Sequence, residues 1–224
     1  MGISEKHKYI NPVRAGSMVE IYVNIAELAF GNFLDEAATG GLDQYEGRRD
    51  SGIKTIVFAA MAIEAAAFEF SASTLGDQVA QDYLDKMDLE GKWMIGTRLA
   101  YGQSLDIDGP AINGLRSLVK ARNALVHHKS KRENEAGTVS KVIRTEWAQF
   151  EKDQVPNAFK TLVLLSLELE ASPGGIFGSF IYRDKSLCPP GFTNDYSPHP
   201  RVKNVIDRCR EIHKKHLLRR ASGA

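Results

Sequence analysis

Residues 53–70 read IKTIVFAAMAIEAAAFEF, which is the longest apolar run in the chain. Three charged residues interrupt this run: Lys54, Glu64 and Glu69. Because charges are costly inside a lipid bilayer, the run predicts a buried helix of a soluble protein, and we expect no membrane partner. Ser51 can cap such a helix, which is therefore expected over residues 53–71, after a polar linker at residues 42–50.

The composition is that of a globular protein. The chain has 224 residues, of which 43% are hydrophobic and 25% are charged, with a net charge of +1. These values exclude wholesale disorder and fibrous classes. Two cysteines, Cys188 and Cys209, are too few for a disulfide framework and indicate a reducing compartment. The N-terminal residues contain no apolar stretch that could act as a signal peptide, so we expect a cytoplasmic protein.

Helix start signals recur along the chain and predict an all-α fold. The sequence Ser17-Met-Val-Glu20 is a capping box that should start a helix running to about Ala38. Asp108-Gly-Pro110 places a proline at the first position of a helix expected over residues 111–129. Residues 138–145 fit a strand or a helix, and the pattern does not decide between them.

Composition divides the chain into three parts. Residues 1–171 form the predicted helical domain. Residues 172–200 contain five of the eight prolines and four glycines, so they should form an irregular arm. Residues 201–224 are expected to form a basic amphipathic helix, since residues 201–220 hold eight Lys or Arg against two acids.

Two charges occupy the apolar faces of predicted helices. At 100° per residue, Arg122 falls near the centre of the apolar face of the 111–129 helix. Glu64 falls near the centre of the apolar face of the 53–71 helix. Lone charges are not left in a low-dielectric core, so we expect Arg122 and Glu64 to face each other as a buried pair. The pair could be purely structural, or it could border a polar cleft that also holds a histidine.

The predicted helix over residues 111–129 also contains a recognisable motif. Residues 115–129, LRSLVKARNALVHHK, resemble the signature of the HEPN superfamily, in which an Arg is followed after four to six residues by a His. Here Arg122 and His127 are separated by four residues, and the polar Asn123 follows the Arg. His128 also satisfies the spacing, so the choice of histidine stays open. The resemblance covers about residues 53–129, including the alanine-rich segment around Glu64.

This resemblance implies a compact HEPN-like helical bundle that forms a homodimer, with the motifs of two protomers lining one cleft. It also implies a metal-independent endoribonuclease of the toxin–antitoxin or defence type, with RNA as substrate and an antitoxin protein as a further partner. Arg122, Asn123 and His127 would be catalytic, while Glu64 and His128 would support them. The alternative is a non-catalytic HEPN-like module that mediates protein–protein interaction.

No cofactor or metal site is expected from the sequence. His213 and His216 lie three residues apart on the C-terminal helix, and we expect solvated or half-buried side chains there instead of metal ligands. The chain also has no glycine-rich phosphate loop, no CxxC pair and no nucleophile elbow. The basic residues of the C-terminal helix are read as a solvated face, or alternatively as phosphate contacts for RNA.

Overall fold

The computed structural model describes residues 17–39, 45–127, 138–172 and 198–222, and every regular element within these ranges is helical. In chain order the helices are α1 (Val19–Thr39), α2 (Tyr45–Leu75), α3 (Asp77–Val79), α4 (Leu89–Tyr101), α5 (Pro110–Val126), α6 (Thr138–Gln149), α7 (Val155–Glu170) and α8 (Pro200–Ala221). Two π-helical segments, Ala80–Leu84 and Phe150–Gln154, follow α3 and α6. The predicted all-α class is thus confirmed for these ranges.

Helix α2 begins earlier than the sequence predicted. The predicted polar linker at residues 42–50 is wrong from Tyr45 onward, where the structure has helix. Charged side chains of this first part make tertiary contacts: Arg48 pairs with Glu151 at 2.8 Å, and the Arg49 guanidinium lies 4.1 Å from the centroid of the Trp147 ring. Because these contacts come from polar residues, an apolar pattern could not reveal them.

Helix α2 is the centre of the bundle. It runs against α1 and also contacts α4, α5 and α7. Its core-facing residues are mainly small or aliphatic: Ile56, Ala59, Ala60, Ala62, Ile63, Ala66 and Ala67. Within the described ranges, the α2 segment Glu46–Leu75 is long and apolar enough to cross a membrane, but 67% of its apolar window is buried inside the protein. This burial agrees with the buried helix that we predicted because Lys54, Glu64 and Glu69 interrupt the apolar run.

Residues 138–145, whose sequence fits either a strand or a helix, are helical and belong to α6. It continues through the second π-helical segment into α7, whose first turn contains Pro156. A proline has no N–H to donate, and its ring clashes with the carbonyl four residues before it. The wider π segment immediately precedes this proline and carries the chain into α7 without a break.

Helix α8 packs on the same core as the other helices. It contacts α7, α1 and α5, and its inward residues Val202, Ile206 and Cys209 are fully buried. Its N-terminus is fixed on α1, where the His199 Nε2 lies 3.1 Å from a carboxylate oxygen of Asp35. Most of the predicted arm at residues 172–200 lies outside the described residues.

Candidate functional site

Helix α5 carries the predicted motif and ends earlier than expected. Pro110 lies in its first turn, as the sequence predicted, and the helix ends at Val126 instead of near Lys129. The backbone N–H of His127 donates to the carbonyl of Asn123 at 3.0 Å and closes the last turn. His127 is therefore the C-cap residue, and it is exposed.

The side chain of Arg122 lies at the edge of the α5 contact surface and not in its middle. The buried residues of α5 are Ala111, Ile112, Gly114, Leu115, Leu118 and Ala121. Arg122 is 39% exposed, and its Nη1 donates to Oδ1 of Asn123 at 3.0 Å. The prediction that its charge is buried is wrong, because the neighbouring helices cover the face centred on Leu115 and Leu118.

Glu64 does meet Arg122, but the pair is exposed. The two side chains approach to 3.8 Å between Nη2 and Oε2, so the predicted contact is confirmed. Glu64 is 51% exposed, which makes the predicted burial wrong here as well. Helix α2 is apolar on nearly every side, and its partners cover the face of Ile56 and Ile63 rather than the face that includes Glu64.

A buried lysine extends this charge network. The Nζ of Lys92 on α4 lies 3.7 Å from Oε1 of Glu64 and donates to Oδ1 of Asp85 at 2.9 Å. Lys92 is only 5% exposed, so the two carboxylates compensate a cation removed from water. Sequence reasoning did not assign Lys92 a role. A signal was available, because Lys92 directly precedes the buried Trp93 in a run that is otherwise mostly apolar.

The end of α5 therefore presents three different functional groups. Arg122 offers a planar guanidinium fork, Asn123 an amide and His127 an imidazole on an exposed part of the protein. A guanidinium matches two oxygens of a phosphate, and an imidazole can accept or donate a proton near neutral pH. His128, the alternative histidine, lies outside the described residues.

A second polar cluster joins α7, α8 and the turn before α5, and the sequence did not predict it. Glu168 is 5% exposed and lies 3.1 Å from Nε2 of His213, which is 9% exposed. Its other oxygen accepts from Nη1 of Arg220 at 2.8 Å. His216 lies 3.3 Å from a carboxylate oxygen of Asp106. The two histidines thus face two separate carboxylates, and His213 is buried where a solvated or half-buried side chain was expected.

Two opposing effects act on the carboxyl of Glu168. Burial by itself raises the pKa, while the hydrogen bond from His213 and the charges of His213, Arg220 and His216 lower it. The basic partners prevail, so the pKa of Glu168 lies below its usual value. Glu168 is therefore ionised at neutral pH and holds the inner face of α8 on α7.

No family model, curated protein or solved structure matches the chain. The HEPN assignment consequently stays a prediction from the residues of α2 and α5. What the structure adds is the geometry at the end of α5: the guanidinium of Arg122 contacts the amide of Asn123, and the exposed His127 follows as the C-cap residue.

Proposed function

We propose that this protein is a metal-independent endoribonuclease of the toxin or defence type that acts on RNA in the cytoplasm through Arg122, Asn123 and His127. The observation that carries the proposal is the contact of Arg122 with Asn123 and with Glu64 of α2 near the C-terminal end of α5, five residues before the exposed His127. The resemblance of the same residues to the HEPN signature supports it.

The contacts of Arg122 leave it free to bind a phosphate. Its distance of 3.8 Å from Glu64 is long for an ion pair, and both side chains are partly exposed. An exposed pair of this kind is worth at most about 1 kcal/mol, so the guanidinium can exchange Glu64 for phosphate oxygens at little cost. Asn123 accepts from one guanidinium nitrogen and limits the orientations of the fork.

The chemistry uses the nucleophile that RNA itself carries. His127 accepts the proton of the 2′-hydroxyl, whose oxygen attacks the adjacent phosphorus and forms a 2′,3′-cyclic phosphate. The bond from phosphorus to the 5′-oxygen breaks, and a protonated imidazole supplies the proton that this leaving oxygen needs. Arg122 stabilises the negative charge that develops on the phosphate oxygens.

A two-fold dimer would supply the second imidazole. One His127 per protomer can act as base, while the partner's His127 acts as acid. Within one protomer the nearby charges balance, because the cations Arg122 and Lys92 face the carboxylates of Glu64 and Asp85. The dimer would also bring a second Arg122 to this site. The proposal therefore includes a homodimer that pairs the C-terminal ends of the two α5 helices.

The decisive experiment is cleavage of a labelled RNA by purified protein with a chelator present. We expect products with 2′,3′-cyclic ends, and a loss of about 10²- to 10⁴-fold in rate for His127→Ala, which is the usual range for a general acid or base. His127 is exposed, so this variant should keep its fold and its oligomeric state. Arg122→Lys should also lose activity, because lysine cannot present a bidentate fork.

His128→Ala is the matched control and should retain most of the activity. Equal losses in the two histidine variants would mean that His127 is not the specific base. Sedimentation of wild type as a monomer at tens of micromolar, a concentration of the order at which a weak dimer forms, would contradict the shared cleft. Wild-type protein that cleaves no RNA would favour the non-catalytic interaction module instead.

A further inference from the structure

Helix α8 holds eight basic side chains, and three of them have clear structural partners. Arg201 donates to the carbonyl of Leu34 at 2.7 Å, and Arg210 pairs with Asp207 on its own helix at 2.8 Å. Arg220 pairs with Glu168. Arg201 and Arg220 thus help to hold α8 in place, whereas the pair of Arg210 lies within the helix.

The other five basic residues of α8 are exposed: Lys203, Arg208, Lys214, Lys215 and Arg219. None of them forms an ion pair with a residue in the described part of the chain. Among the acids of α8 itself, only Glu211 is left to oppose them, because Asp207 is already paired with Arg210. From Arg208 to Arg219 the cations extend for roughly 16 Å along the helix. An open groove lies beside Arg208 and Lys215, and the acids Asp207 and Glu211 also line it.

The apolar side of α8 argues against a membrane as the partner. A helix that lies on a lipid surface inserts an apolar face, but Val202, Ile206 and Cys209 are already buried in the core. Leu218, at 62% exposure, is the one large hydrophobic residue that this helix exposes in the described ranges. A protein partner is also disfavoured, since interface cores are rich in aromatic residues and poor in lysine.

We propose that the outward face of α8 is a docking surface for the phosphate backbone of single-stranded RNA, with Lys214, Lys215 and Arg219 as its main contacts. The choice of RNA rests on the proposed function. Lysine and arginine contacts of this kind bind phosphates independently of sequence and displace counterions, so the binding should depend strongly on salt.

The docking surface lies far from the proposed cleavage site. His216 and Arg220 contact Asp106 just before α5 begins, whereas His127 follows the other end of α5. The 17 residues of α5 separate the two places by roughly 25 Å. At a stacked rise of about 3.4 Å per nucleotide, an RNA of about seven or eight nucleotides spans this distance. The surface should therefore matter for long substrates and not for very short ones.

Binding is measured by fluorescence anisotropy with a labelled single-stranded RNA of about 20 nucleotides, a length that spans both places. All proteins carry His127→Ala so that no cleavage occurs. The test variant is K214E/K215E/R219E. The control variant is K141E/R144E/K152E, which changes the charge by the same amount at exposed positions of α6 and the segment after it.

We expect the test variant to bind about a hundredfold more weakly at about 0.1 M salt, because each lost contact with a single strand removes about 0.7 from the slope of log K against log salt. The slope itself should become shallower by about 2. The control variant should bind nearly as wild type does. Since the altered residues are exposed, circular dichroism should show an unchanged helical signal. K203E/R208E provides a second variant with a smaller loss.

Wild-type affinity in the test variant would overturn the proposal, and so would equal weakening in both variants. Displacement of the RNA by a poly-glutamate peptide of equal charge at the same concentration would indicate a protein partner and would also overturn it. Cleavage tests the proposed function separately. Binding lost in the test variant without any cleavage by wild type would refute the nuclease and keep the surface. Cleavage of long RNA with an unchanged KM by K214E/K215E/R219E with His127 intact would refute the surface and keep the nuclease.

Discussion

Replacing Glu168 by alanine tests the buried network between α7 and α8, and Glu64→Ala is its matched control. Both glutamates lie within helices, and each contacts an arginine and one other basic side chain. The two sites differ in burial and distance. Glu168 is 5% exposed, with contacts at 3.1 and 2.8 Å, while Glu64 is 51% exposed, with contacts at 3.7 and 3.8 Å.

The expected losses of stability differ for this reason. Removing Glu168 leaves the buried His213 and the guanidinium of Arg220 without their carboxylate, and breaking such a buried pair costs about 3–5 kcal/mol. Arg220 is 45% exposed and can turn toward water, so the lower end of this range, about 3 kcal/mol, is expected. Removing Glu64 should cost less than about 1 kcal/mol, because its pair with Arg122 is exposed and the buried Lys92 keeps its closer partner Asp85 at 2.9 Å.

Urea unfolding followed by circular dichroism measures both variants. With a slope of about 2–3 kcal/mol per molar urea, Glu168→Ala should lower the midpoint by about 1 M or more. Glu64→Ala should lower it by less than about 0.5 M. Glu168→Gln keeps one acceptor and should fall between wild type and the alanine variant. Equal midpoints for the two alanine variants would refute the assignment of a buried network at Glu168.

Two further expectations concern packing and pH. Gly52→Ala should destabilise the protein by about 1–3 kcal/mol, because the new Cβ would lie 2.8 Å from atoms of Phe150. The control Gly31→Ala meets only ordinary contacts and should stabilise the protein by up to about 1 kcal/mol. Equal urea midpoints for the two variants would contradict this packing. Because its pKa is lower in the folded protein, Glu168 contributes stability above its ordinary pKa, and this contribution should be lost as the pH falls from about 5 toward its folded value. The unfolding free energy of Glu168→Gln, measured over that pH range, should fall less steeply than that of wild type. Parallel curves of unfolding free energy against pH would show that Glu168 does not cause the loss of stability in acid.

Local signals in the sequence predicted much of the helical fold. Ser17 lies two residues before the start of α1, and its hydroxyl accepts from the N–H of Val19 at 3.4 Å. Pro110 starts α5, as its fixed φ angle and missing N–H favour. Both signals act within a few residues, and their effect therefore does not depend on the rest of the fold. Helix α2 exceeded its predicted bounds because tertiary contacts of Arg48 and Arg49 fix its first turns.

The burial of the two motif charges could not be predicted in the same way. A helical wheel finds the average direction of the apolar residues, but in α2 nearly every direction is apolar. Which side becomes buried is then decided by the helices that pack against it. The contact between Arg122 and Glu64 was predicted correctly, since two opposite charges on neighbouring helices attract each other at the surface as well as in the core.

The buried cluster around Glu168 illustrates a limit of pattern analysis. Glu168 and His213 lie 45 residues apart, and the spacing within either helix does not relate them. Each looks like an isolated polar residue until α7 and α8 pack together. Spacing relates His213 only to His216, because those two share a helix, whereas each pairs with a carboxylate from another part of the chain.

The two charge networks suit different tasks because their energies differ. Rearranging the cluster at Glu168 would leave charged groups without partners in a water-poor place, so its geometry is fixed and it holds α8 on the core. The contact between Arg122 and Glu64 is loose and partly hydrated, so a phosphate can replace Glu64 without a large cost. A group that must bind a substrate has to be free to change partners. By this criterion the exposed end of α5, and not the better-bonded buried cluster, is the place to expect chemistry.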